Sequence, residues 1–242
     1  MANAKYIYCV ILADKEMDFG AIGLDDERVY IIHLKGLACM VSDAGEDEYS
    51  LANEAHLKAH QLVLEKMMKQ YETLPICFGT VAPGTKEVFQ FLKQHHKEFK
   101  RLFKKMRGKV EIELEVFWKE MKGVFDEIVK KSKHLQTLKT NSKPKSREDL
   151  IMAGQFVAAQ LCQKKAEEVT KYMKYLKGYI SDYQINSTTR DELVLYGSFL
   201  VDKNKLDQFD KAVDRLEEEN KERVKVCYIG PLPPYSFASV RM

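Results

Sequence analysis

Lys109-Val-Glu-Ile-Glu-Leu-Glu-Val-Phe-Trp118 alternates apolar and polar side chains almost without a slip. Val110, Ile112, Leu114, Val116 and Trp118 fall on one face, and Glu111, Glu113 and Glu115 on the other. That period of two marks a strand with one face on a core and the other in polar surroundings. The segments after Trp118 give this strand its architecture. Glu120–Leu138 is weakly helical, and Thr140–Arg147 reads as a polar loop. Ser146, with Asp149 close to a capping box, opens the longest helical pattern, which runs to about Gly178. Leu150, Gly154, Val157, Leu161, Val169, Tyr172, Met173 and Leu176 trace its apolar face. Strands at 182–187 and 192–202, a helix at 205–223 and a strand at 224–229 complete a β-α-β-β-α-β order. That order builds a four-stranded antiparallel sheet with two helices on one face, the ferredoxin-like split βαβ.

The residues before Lys109 repeat the plan without repeating the sequence. Strands are expected at 5–12, 28–35, 37–42 and 73–81, with Gly36 alone separating the middle two in a tight hairpin. Asp14–Glu27 stands where the first helix belongs and reads as a loop or a short helical turn. An acidic loop at 43–49 precedes a helix that Asn53 caps and that runs to about Gln70. A further amphipathic helix, 85–107, ends at Gly108. The expected fold is therefore α+β: two ferredoxin-like (split βαβ) domains with antiparallel sheets, the first with a reduced first helix, joined by a long amphipathic helix. The expected boundaries are 1–84 for the first domain, 85–108 for the connecting helix and 109–242 for the second domain, with an insertion at 119–146.

The chain has 242 residues, 45% of them hydrophobic and 31% charged, which supports packed cores and excludes disorder. The net charge of +3 points to no polyanionic partner. Divided along the chain it is uneven: −6 over 1–84, +10 over 85–147 and −1 over 148–242. Much of the positive block lies on one face of the 85–107 helix, at Lys93, Lys97, Lys100, Arg101, Lys104, Lys105 and Arg107.

Cys9, Cys39, Cys77, Cys162 and Cys227 are odd in number and lack C-x-x-C spacing, so they read as buried, reduced thiols. The apolar run Tyr6–Ala13 ends in Asp14-Lys-Glu16 with no small-residue cleavage site, and reads as a strand and not a signal peptide. No stretch reaches the roughly 20 apolar residues of a membrane helix. These features point to a soluble intracellular chain that makes no use of a lipid membrane.

The search for chemistry yields little. His56 and His60 have metal-ligand spacing on a helix, but positions 57–59 read Leu-Lys-Ala and lack the catalytic Glu of H-E-x-x-H. A surface or half-buried pair is the expectation. There is no G-x-S-x-G, and Cys77 lies in no recognisable catalytic context. Glu111, Glu113 and Glu115 read as a solvated or salt-bridged sheet face. Gly79-Thr-Val-Ala-Pro-Gly84 lacks the Lys-Ser/Thr ending of a phosphate loop. Tyr196–Val201 is a distant echo of an RNA-recognition strand without its leading Lys/Arg-Gly. The exception is Gly230-Pro-Leu-Pro-Pro-Tyr-Ser-Phe237. Its prolines impose a stiff extended segment that either straps back on its own domain or presents Tyr235 and Phe237 to another protein.

The opening Tyr6-Ile-Tyr-Cys-Val10 strand, Leu74-Pro-Ile-Cys-Phe-Gly-Thr-Val81, the Lys109–Trp118 strand after a Gly and the Gly230–Phe237 ending together resemble the gas vesicle protein F/L family, over essentially the whole chain. The last of these is the most specific. Cys77 stands where the family often has a basic residue, so no role of that side chain carries over. The resemblance implies a non-catalytic accessory protein of gas vesicle assembly, without metal or cofactor. It would bind the hydrophobic shell subunit, gas vesicle protein A, and limit its aggregation. Other accessory proteins are further partners, and nucleic acid and lipid are not. The location implied is the gas vesicle, with the cytoplasm during assembly. Candidate contacts are the loop Phe78, Gly79 and Thr80, the basic face at Lys100, Arg101 and Lys104, and the strap at Pro231, Pro233, Pro234, Tyr235 and Phe237. The competing readings are a ferredoxin-like small-molecule sensor or enzyme and, behind it, an RNA-binding protein.

Overall fold

Strand β1, Ala4–Ile11, is buried along its whole length, because the sheet it centres is covered on both faces. The computed structural model describes residues 4–44, 53–132, 135–136 and 146–238. The loops expected at 43–49 and 140–147 therefore lie almost entirely outside the described residues. The first sheet also holds β2 (Asp18–Ala21), β3 (Arg28–Leu34), β4 (Leu37–Ala44) and β5 (Thr73–Pro75) in the order β2-β3-β4-β1-β5, and β6 (Val81–Ala82) pairs with β1. Without β2, the order β3-β4-β1-β5 is that of a split βαβ, and the β1–β4, β1–β5 and β3–β4 pairs are antiparallel. In place of a first helix the chain makes β2 and a 3-10 turn at Leu24–Asp26. The expected single strand 73–81 is interrupted by a turn between β5 and β6.

Lys35 and Gly36 connect β3 to β4 with φ of 51° and 79°. Both central residues are left-handed, as the two-residue hairpin turn requires, and Gly36 takes that conformation without steric cost. Helix α1, Glu54–Met68, is capped by Asn53, whose side chain accepts the His56 N–H. It places Val63, Leu64 and Met67 against Tyr6, Tyr8, Ile31 and Met40.

The segment expected as one connecting helix is two helices, α2 (Thr85–Gln94) and α3 (His96–Met106). They break at His95, whose backbone leaves the helical region and whose ring lies between Phe91 and Phe99. Both helices are strongly amphipathic and bury Val88, Phe91, Leu92, Phe99, Leu102, Phe103 and Met106. Helix α2 packs on β1, β3 and β4, and none of these side chains joins the α1-side core, so the pair covers the other face of the sheet. A sheet apolar on both faces needs that second layer. The chain accordingly divides into a first compact unit of residues 1–111 with 231–242, and a second of residues 112–230. Where the sequence reading sets 85–108 apart as a connector, the structure includes these helices in the first unit and returns the C-terminal residues to it.

The second sheet has the order β10-β7-β9-β8, from β7 (Lys109–Trp118), β8 (Ile180–Ile185), β9 (Leu193–Asp202) and β10 (Val224–Leu232). This is again the split-βαβ order. Its helices are α5 (Arg147–Leu176) and α6 (Leu206–Glu219), and Phe199 and Phe209 meet in the core at 6.0 Å between ring centroids. Ser146 and Asp149 form the capping box that the sequence foreshadows. The described part of the insertion makes helix α4, Met121–Lys131, beside α5.

Candidate functional site

Two stretches of the first unit meet at β1. The Ile76 N–H donates to the Tyr8 carbonyl at 3.0 Å, and the Ile7 N–H to the Thr80 carbonyl at 2.9 Å. Between these bonds the chain turns at Cys77–Thr80, where Gly79 takes φ +78° and the Thr80 hydroxyl closes on the Cys77 carbonyl at 2.7 Å. The Gly79 N–H donates to the Tyr6 hydroxyl at 3.1 Å, and that hydroxyl lies 2.8 Å from His60 Nδ1. The other ring nitrogen of His60, Nε2, is buried. Phe78 packs edge-on to both rings, and His60 stacks on Tyr8. Burial pushes the His60 pKa down to about 4, with the Ile76 backbone offsetting part of the shift, so the ring is neutral at ordinary pH. His56, one turn earlier, bonds Asp25 and Asn53 instead. The two histidines serve different partners.

Outside this hub, the same turn and helix α2 line a cleft of about 540 Å³. Cys77, Gly79, Thr80 and Val81 form one wall, and Glu87, Gln90, Phe91 and His95 the other. The predicted loop residues Gly79 and Thr80 thus sit at a concave surface, while Phe78 points its ring back into the hub. Cys77 and Cys162 are exposed, which corrects the expectation of five buried thiols; Cys9 and Cys39 are buried, and burial pushes both thiols up.

Lys100, Arg101 and Lys104 are exposed on the outer side of α3, opposite its buried aromatic face. The strap behaves differently. Pro231 and Leu232 belong to β10, Pro233 and Pro234 are buried, and Tyr235–Ala238 forms a single helical turn, α7. Phe237 is 8% exposed and Tyr235 packs on the α1-side core. The segment closes on its own unit, so the aromatic pair is not presented to solvent. Its anchor is Glu111, fully buried, which accepts the Ser236 N–H at 2.8 Å and the Ser236 hydroxyl at 2.6 Å. The expected carboxylate face is therefore divided: Glu111 is enclosed, while Glu113 and Glu115 are half-exposed.

In the second unit the long helix α5 is only half used. Its buried residues begin at Leu161 and continue through Lys164, Glu168, Tyr172 and Leu176. Before them, Leu150, Ile151 and Met152 are 57%, 51% and 59% exposed. No charged residue occurs from Leu150 to Gln163. Sequence periodicity marks Leu150 as part of an apolar face but does not show that it is exposed. Helix α4 is held to α5 by ion pairs. Arg223 donates to Glu127 at 2.7 and 3.2 Å and to Glu168 at 3.3 Å, and Lys164 donates to Glu127. These cations hold the Glu127 carboxyl down at about 2.

The accessible features are thus a shallow cleft, a basic helix face and an apolar helix, on an α+β protein of two split-βαβ units. No group of three or more His, Cys, Asp or Glu side chains suited to a metal occurs among the described residues. No helix among them is long and apolar enough to cross a membrane. The chain belongs to the GvpL/GvpF family: the family model described as gas vesicle synthesis protein GvpL/GvpF matches residues 4–239. Gas vesicle protein F of Dolichospermum flosaquae is 24% identical over 223 residues, 90% of each chain. Gas vesicle protein F of a Streptomyces strain is 28% identical over 221 residues, 90% of this chain and 91% of the relative. The crystal structure of GvpF from Anabaena sp. PCC7120 superposes with a TM-score of 0.86 at 24% identity, covering 99% of both chains, and shares the fold. Family membership gives the chain an accessory role in gas vesicle assembly.

Proposed function

We propose that the chain binds the hydrophobic shell subunit, gas vesicle protein A, and limits its aggregation while vesicles nucleate, without catalysing a reaction. The observation that carries this reading is the uncharged first half of α5, with Leu150, Ile151 and Met152 more than half exposed. A free hydrophobic subunit lowers its free energy by covering apolar surface, and this helix offers such surface. Burying each of these side chains contributes up to about 1.5–3 kcal/mol, enough for several together to hold a client reversibly. The cleft beside Gly79 and Thr80 is a second contact in this reading. Assembly takes place in the cytoplasm, and the vesicle is the destination.

Co-expression of a tagged chain with the shell subunit tests the proposal. The shell subunit is expected to co-purify with the wild type and to be lost with Leu150→Glu combined with Met152→Glu. Undiminished recovery with that variant removes α5 from the account, and no recovery with the wild type removes the shell subunit itself.

A further inference from the structure

The outer face of α2 and α3 carries cations that the fold leaves unneutralised. Lys35, Lys93, Lys97, Lys100, Arg101 and Lys104 are all exposed, and none forms an ion pair with a described residue. In the second unit several cations are paired: Lys164 and Arg223 with Glu127, Lys171 with Glu168, Arg190 with Glu192. The concentration on α3 has a cost, because Lys97/Arg101 and Lys100/Lys104 are like-charge pairs four apart on one helix, each destabilising by a few tenths of a kcal/mol. The tertiary fold adds to the crowding. Lys100 Nζ reaches the β3–β4 turn, 3.5 Å from where a Cβ on Gly36 would lie, and His96 Nε2 contacts the Lys35 carbonyl at 3.3 Å. The turn therefore brings Lys35 to the same patch.

We propose that this face docks an acidic polypeptide segment of a partner protein, with carboxylates recurring about every 6 Å. That is the spacing of Lys97, Arg101 and of Lys100, Lys104 along α3, which rises about 1.5 Å per residue. An acidic helix or strand reproduces it. A polypeptide is favoured over a nucleic acid because Phe99 and Phe103 of α3 are buried and give bases nothing to stack on. Glu98 interrupts the cationic surface as well, held by His95 Nδ1 at 2.9 Å. The proposal is independent of the α5 reading, which concerns the other unit and an apolar client.

The test is a binding titration of the full chain with fluorescent poly-L-glutamate, a uridine oligonucleotide of equal charge, and sedimentation of the chain alone, at low and physiological salt. The variant is Lys100→Glu, Arg101→Glu, Lys104→Glu. The control carries the same charge change on exposed residues of the second unit, Lys203→Glu, Lys205→Glu, Lys211→Glu. Poly-L-glutamate binding is expected to weaken about tenfold or more in the variant, to change little in the control, and to fall with salt. The neutral variant Lys100→Gln, Arg101→Gln, Lys104→Gln is expected to fall between, with unchanged circular dichroism. Equal weakening in variant and control overturns the proposal. So does tighter binding of the oligonucleotide at the same residues, which makes the partner a nucleic acid. Salt-sensitive self-association abolished by the reversal also overturns it, because the occupant is then a second copy.

Discussion

Glu111 and Ser236 lie 125 positions apart and are joined by two hydrogen bonds, from the Ser236 N–H and hydroxyl to the two carboxylate oxygens. The carboxylate meets the N-terminal turn of α7, where backbone N–H groups lack intrahelical partners, and so completes a turn too short to be stable alone. The most distinctive motif of the chain is in this way a structural clasp of the first unit. Glu111→Ala is expected to destabilise the protein by about 2–3 kcal/mol, and Ser236→Ala by about 1 kcal/mol, because only the first removes a charged acceptor from both donors. Urea denaturation measures both values. Equal costs would show that the clasp depends on the serine hydroxyl alone.

His60 gives the fold a pH dependence. Its pKa falls from an ordinary 6.5 to about 4 on burial. Between these values the unfolded chain binds a proton that the folded chain refuses, so stability decreases as pH falls from about 6.5 towards 4, by up to about 3 kcal/mol. His60→Phe removes the titration and is expected to flatten that slope, at some cost from the hydrogen bond to the Tyr6 hydroxyl that it removes. An unchanged slope in His60→Phe would assign the acid sensitivity to other groups.

Glu127 couples the insertion to the second unit. Its carboxyl is lowered from 4.5 to about 2 by Arg223 first and Lys164 next, so its stabilising effect is full above about pH 4.5 and lost as pH falls through 2. Because the group is 41% exposed, screening reduces the effect of Glu127→Ala to about 1 kcal/mol. The local effect is expected to exceed the global one. Hydrogen exchange of 121–131 should accelerate while that of β7 and β9 stays slow, whereas uniform acceleration would deny α4 a separate attachment.

Leu150→Glu with Met152→Glu is expected to leave thermal stability within about 0.5 kcal/mol of wild type, since exposed side chains contribute little to the core. The same variant is expected to lose the shell subunit. A large fall in melting temperature would show that these residues pack against the chain itself in solution.

Alternation in Lys109–Trp118, the capping box at Ser146 and the left-handed demand of Lys35–Gly36 are local, and each is visible in a few consecutive residues. They mark a strand, a helix start and a hairpin, while the strand order of the two units is seen in the sheets. The break at His95 is hidden in the sequence because the apolar stripe continues through it, and the rings of Phe91 and Phe99 pack together across it. Proline stiffness in the strap says nothing about which way an aromatic ring faces, and it is packing that turns Tyr235 and Phe237 inward.

Local pattern and chemistry thus established the classes of element, their order and the basic block on 85–107. What each face meets was set by tertiary packing alone. It put α2 and α3 over a sheet apolar on both sides, closed Glu111 on Ser236, and left Leu150, Ile151 and Met152 of α5 more than half exposed. The reason is physical: hydrophobic periodicity is written in neighbouring residues, whereas burial depends on partners brought together from far along the chain.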